Sequence, residues 1–262
     1  MSDTQERIPV SVLTGFLGSG KTTLLSALIR QPDMADTAVI INEFGEVGLD
    51  HALVAKSDDT TVLLNSGCLC CTVRGDLVNT FRDLFLKRVK GEVPEFQRVV
   101  VETTGLADPA PVLHTMMTDP LVASRFRLDG VIATVDAVNG TSTLDNHMES
   151  VKQVAVADRL VLTKTDIASP EAIEALGARL KRLNPAAPQI RASHGAIAAE
   201  QLFNAGLYDP RTKTADVQRW LNEEAYADPN DHNHDHHGHD HHGHEHGHGH
   251  GHEHHDHGKP DV

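Results

Sequence analysis

An α/β domain with a mainly parallel sheet, covered by helices on both faces, is predicted by three observations. Short apolar runs lie at residues 10–13, 38–41, 61–64, 99–101, 130–135 and 159–162. They are rich in Val, Ile and Leu and lack polar alternation, as strands buried on both faces do. Helical patterns fall between several of them, at 21–30, 75–90 and 171–183, the last after a Ser169-Pro170 start. A Gly-rich turn joins the first strand to the first helix. Strands alternating with helices build parallel sheets, and such sheets bind ligands at the carboxyl ends of their strands.

That turn carries the most specific motif in the chain. Gly15-Phe16-Leu17-Gly18-Ser19-Gly20-Lys21-Thr22 matches G-x-x-x-x-G-K-[ST] at every fixed position, after a strand and before a helix. Its glycines let the backbone curl so that N–H groups face phosphate oxygens, and the helix amino end adds positive potential. Gly15, Gly18, Ser19 and Gly20 shape this cradle, with Thr23 just beyond it. Lys21 reaches the β and γ phosphates as a point charge, and Thr22 offers a hydroxyl to Mg2+. The expected fold is therefore that of a P-loop NTPase.

Two more strand ends carry chemistry. The apolar strand before Glu102 ends in an acid, where P-loop enzymes orient magnesium or its waters. Gly105 then lets the backbone approach the γ phosphate. Lys21, Thr22 and Glu102 are the candidate catalytic set. Further on, Leu162-Thr163-Lys164-Thr165-Asp166 follows another strand, and Asp166 has the position of the acid in N-K-x-D. A carboxylate accepts two hydrogen bonds from guanine but meets an acceptor on adenine, which favours GTP over ATP. Lys164 lays its stem along the base. Thr163 replaces the usual Asn, which weakens or moves one polar contact. Ala192-Ser193-His194-Gly195 is a candidate far wall for the base.

All three cysteines fall within Cys68-Leu69-Cys70-Cys71, after a strand and before a helix. Thiolates so grouped suit a soft or borderline metal, and the following helix amino end lowers their pKa. The acidic segment 41–50 reads as a mobile loop placed to close on nucleotide. Its Glu43, Glu46 and Asp50 are candidate metal or water contacts, Glu46 being the preferred metal ligand.

Near Asp228 the composition changes to His, Gly, Asp and Glu, with nothing apolar to bury. The chain is therefore divided into a folded domain, 7–226, and a disordered His-rich tail, 227–262. His232, His234, His236, His237 and His239 begin repeated His-x-His spacings that bind zinc, nickel, copper or cobalt. His51, His114 and His147 stand apart and read as structural or solvated.

The formal net charge of -14 in 262 residues argues against nucleic acid or anionic membrane as a partner. No apolar run approaches a membrane span, and residues 1–7 lack a signal peptide's apolar stretch, so a cytoplasmic location is expected.

Taken together, GFLGSGKTT, INEFGEVGLD, GCLCC, ETTGLADP and LTKTD, in this order over residues 9–207, resemble the CobW-type metallochaperone GTPases, relatives of the UreG and HypB nickel-insertion GTPases. The resemblance implies a SIMIBI-type P-loop domain using GTP, GDP and Mg2+. It implies Zn2+ or a related divalent ion at Cys68, Cys70 and Cys71, hydrolysis-controlled transfer to a client metalloprotein, and self-association as a homodimer. Two departures stand out. Some members carry an acid where this chain has Ile41. Members also continue past a His-rich linker into a second α/β domain, whereas this sequence ends within that linker. Three other readings remain: metal buffering with an uncoupled nucleotide site, a cobalt- or nickel-inserting GTPase, and a P-loop kinase or ATPase.

Overall fold

The computed structural model describes residues 7–41, 62–65, 74–193, 196–203 and 217, with backbone alone at 62–65 and 74–76. The chain divides into two units, Met1–Pro229 and Asn230–Val262, and every described residue belongs to the first.

The elements run β1 (Ile8–Gly15), α1 (Lys21–Leu28), β2 (Thr37–Ile41), β3 (Val62–Asn65), α2 (Arg74–Lys90), β4 (Arg98–Glu102), α3 (Ala110–Thr118), α4 (Pro120–Arg125), β5 (Phe126–Asp136), α5 (Gly140–Asn146), α6 (Met148–Val156), β6 (Arg159–Thr163), α7 (Pro170–Leu183) and β7 (Gln189–Arg191). The strands form one seven-stranded sheet in the order β3-β2-β4-β1-β5-β6-β7. Every pairing is parallel. β1 sits between β4 and β5, where the chain reverses its direction of travel across the sheet. That reversal opens a crevice at the carboxyl ends of these three strands.

The apolar runs lack alternation because successive side chains enter different cores. Val99 and Val101 of β4 pack with Phe81, Leu84 and Leu113 from α2 and α3. Val100, between them, packs with Leu24, Leu25 and Leu28 of α1 on the opposite face. Ala38 and Ile40 of β2 likewise oppose Val39 and Ile41. Beyond β5, Leu160 and Leu162 join Leu144, Leu176 and Leu180 in a third cluster under α5 and α7. Fully burying each such side chain stabilises the fold by about 1.5–3 kcal/mol.

Four helices and one strand lie beyond the sequence expectation. α3 to α6 are only six to nine residues long. β7 is a three-residue edge strand just before the segment expected as a pocket wall.

One buried polar side chain joins two of these elements. Asn184, just past α7, donates through Nδ2 to the carbonyls of Val154 and Ala157, both at 2.8 Å, and to that of Ala155 at 3.2 Å. It thereby caps the last carbonyls of α6, which a helix cannot satisfy itself. Replacing Asn184 with Ala leaves these carbonyls buried without that donor. We expect a loss of about 2–4 kcal/mol in urea unfolding, and an unchanged midpoint would contradict this account of how α6 ends.

Candidate functional site

The site is assembled from strand ends. Residues 15–20 leave β1 and turn into α1 with Gly15, Gly18 and Gly20 all at positive φ (140°, 70° and 92°). At Gly15 the requirement is also steric, since a Cβ there would collide with Thr134 Oγ1 and lie 2.6 Å from the Thr134 carbonyl. Ser19 Oγ shares a 2.6 Å hydrogen bond with Thr134 Oγ1 of β5. The Ser19 carbonyl accepts from Thr163 Oγ1 of β6, also at 2.6 Å. Thr163 therefore ties β6 to the phosphate loop.

Lys21 is buried, and its Nζ donates to the carbonyls of Gly15 at 2.9 Å and Phe16 at 3.3 Å. The ammonium lies back along the loop that it shares with the backbone N–H groups. Thr22 Oγ1 donates to Glu102 Oε1 at 2.7 Å. Glu102 is fully buried at the end of β4, opposite Leu13 of β1 and Ile41 of β2. A hydroxyl and a carboxylate this close beside the loop form a hard oxygen donor pair, which suits Mg2+. Thr23 is exposed one residue further into α1.

Past β4, Gly105 lies against the phosphate loop. A Cβ on Gly105 would sit 2.6 Å from the nitrogen of Leu17 and 2.7 Å from its Cα, so no side chain fits there. Gly105 is therefore seated directly on the backbone of the phosphate loop.

On the base side, Lys164 follows β6 at φ 57°, a left-handed conformation rare for a residue with a Cβ. Its Nζ pairs with Asp136 Oδ2, at the end of β5, at 2.6 Å. Burial alone would raise the Asp136 pKa. Hydrogen bonds from Lys164, from the Asn139 side chain and from the backbone of Val138 and Asn139 outweigh it and hold the carboxyl below its ordinary 3.8. Asp166 lies exposed in the turn after Lys164. Thr165 Oγ1 bonds the Ala192 carbonyl at 3.1 Å, and Ala192 N bonds the Leu162 carbonyl at 2.8 Å. Ala192 and Ser193 are thereby brought beside the Lys164–Asp166 turn.

Four residues here escaped the sequence reading: Thr134, Asp136, His147 and Gln153. Asp136 carried a usable signal, since it ends an apolar strand as Glu102 does. His147, taken as isolated, stacks on Phe16 of the phosphate loop with ring centroids 4.3 Å apart. Cys68, Cys70, Cys71, Glu43, Glu46, Asp50, His194 and the tail histidines His232, His234, His236, His237 and His239 lie outside the described residues.

A doubly covered parallel sheet with this loop at its switch point defines a P-loop NTPase fold. The model of the CobW/HypB/UreG nucleotide-binding domain matches residues 9–191, and the chain belongs to that family. It is 43% identical over 197 residues to the zinc chaperone YjiA of Escherichia coli K12, covering 75% of this chain and 61% of that one. It is 32% identical over 201 residues to zinc-regulated GTPase metalloprotein activator 1 of Schizosaccharomyces pombe, covering 74% and 48%. The crystal structure of Zn(II)-bound YjiA GTPase from E. coli superposes with a TM-score of 0.61 at 35% identity, over 79% of this chain and 65% of that one. The chain thus spans about half to two thirds of the length of these relatives.

The Asp136 geometry sets a pH dependence. Because its pKa is lowered in the folded state, the carboxylate contributes stability above its unfolded value, and this is lost as pH falls through the folded value. Asp136→Asn should lower the urea midpoint at pH 7, and the gap from the parent should close below about pH 4. A gap that stays constant into acid would contradict the assignment.

Proposed function

We propose that this chain is a magnesium-dependent GTPase that binds Zn2+ at Cys68, Cys70 and Cys71 and releases it to a client metalloprotein under nucleotide control. The observation that carries the nucleotide half is the convergence of the loop, Lys21, Thr22 and Glu102 on one strand-end crevice. The zinc half is supported by the names of the relatives, a zinc chaperone and a zinc-regulated metalloprotein activator, and by the chemistry of three adjacent thiols.

In this reading the loop shaped by Gly15, Gly18, Ser19 and Gly20 would hold the β phosphate, and Lys21 would move from the loop carbonyls to the β and γ phosphates. Thr22 and Glu102 would hold Mg2+, which would supply positive charge to the phosphate oxygens. Gly105 presents its backbone to the γ phosphate, so the segment after β4 distinguishes GTP from GDP. Asp166 accepts from guanine, and Lys164, held by Asp136, lies along its plane. Water attacks the γ phosphorus, the bond to the β-phosphate oxygen breaks, and GDP and phosphate leave. Glu46 and the tail histidines collect metal for the thiol site. We place this activity in the cytoplasm, with a homodimer as the working unit.

Lys21→Ala removes the cation that stabilises charge on the transferred group. GTP turnover should fall on the order of a hundredfold or more, and hydrolysis at the parent rate would sink the mechanism. For the metal half, the tightest zinc affinity is compared between the parent and the C68S/C70S/C71S variant, with GDP and then with a nonhydrolysable GTP analogue. We expect the parent alone to shift about tenfold between nucleotides, roughly 1.4 kcal/mol of coupling. Equal affinities in the parent would instead favour buffering without delivery.

A further inference from the structure

Helix α6 reaches the site from the side, and its contacts converge on the segment after β4. Gln153 is 1% exposed, and its Nε2 donates to the carbonyls of Gly105 and Ala107, each at 3.1 Å. Only the amide NH2 can serve two carbonyls, so the orientation of this side chain is fixed by its partners. Its Oε1 has no hydrogen-bond partner among the described residues.

The neighbouring Lys152 pairs with Asp108 Oδ2 at 2.7 Å, and Asp108 Oδ1 accepts from Ala110 N at 2.9 Å. Residues 105–108 are therefore held at three points by two consecutive residues of one helix. On its other side the same segment presses Gly105 against the backbone of Leu17. Just before the helix, His147 stacks on Phe16. One short helix thus grips both the phosphate loop and the segment facing it.

We propose that Gln153 is a positioning residue that presets Gly105 against the phosphate loop, and so sets the preference for a nucleoside triphosphate over a diphosphate. This rests on the reading of Gly105 as the γ-phosphate contact. A segment already held in place need not be ordered when ligand arrives. Losing the two hydrogen bonds brings that ordering cost back only for a ligand that touches the segment. A diphosphate is held by the loop alone and does not touch it.

The test uses the full chain and Gln153→Met, which keeps the volume and removes both donors. Affinities for GDP and for a nonhydrolysable GTP analogue are measured with Mg2+ by fluorescence titration. GDP affinity should stay within about twofold of the parent, while the analogue weakens by about five- to tenfold, an effect of the size that ordering one segment produces. A purely structural role would lower thermal stability and leave the ratio of the two affinities unchanged. An unchanged ratio, or one shifted toward the triphosphate, overturns the proposal. If Gln153→Met does not fold, Asp108→Asn decides by the same ratio. That change breaks the Lys152 pair and removes a negative charge, which by charge alone would favour the triphosphate, so a fall in the ratio reports the lost grip. A parent that binds GDP but not the analogue overturns the γ-phosphate reading itself, and this inference with it.

Discussion

Ser19 is the residue from which the whole candidate site hangs. Its hydroxyl is shared with Thr134 and its carbonyl with Thr163, both at 2.6 Å, so one residue of the loop is tied to two different strands. Within the loop the Ser19 N–H donates to the Phe16 carbonyl at 3.1 Å, and the rest of its shape is set by hydroxyls and carbonyls. Three threonines do much of that work. Thr134 and Thr163 hold Ser19, and Thr103 bonds Thr14 at 3.0 Å where β1 gives way to the loop. Each is buried, so each bond forms where water does not compete for it.

The charged groups follow the same plan. Lys21, Glu102 and Asp136 are buried polar residues, and each lies within hydrogen-bond distance of a defined partner. A buried charge without compensation is costly. The fold meets that cost by placing the acids at the ends of parallel strands, next to the hydroxyl of Thr22 or the ammonium of Lys164. The segment after β4 is held instead by Lys152 and Gln153 of α6.

What the sequence disclosed follows from the range of each interaction. The phosphate loop was legible because its fixed residues sit within eight positions, and Glu102 because it closes an uninterrupted apolar run. Asp136 closes one too, but it belongs to no short motif of fixed spacing. Thr134 and Gln153 could not be read locally, since their partners lie 115 and 48 residues away. α5 is Gly140-Thr141-Ser142-Thr143-Leu144-Asp145-Asn146, a sequence of poor helix formers that stands only because Leu144 is buried against α7 and β5. α3 and α4 carry prolines in their first turns, which punctuated the pattern and concealed the helices behind it. β7 is short enough for its pairing with β6, not its composition, to define it as a strand.

The strand order also governs when the site comes into being. β1 and its loop come before β4 and β5 in the chain, yet these are their neighbours in the sheet. On a ribosome the chain must extend past Thr163 before Ser19 has both of its supports. Until then Ser19 has the support of Thr134 but not that of Thr163. Contacts of such long span are slow to close. The loop therefore takes its full set of supports only after β6 has been made, long after its own residues.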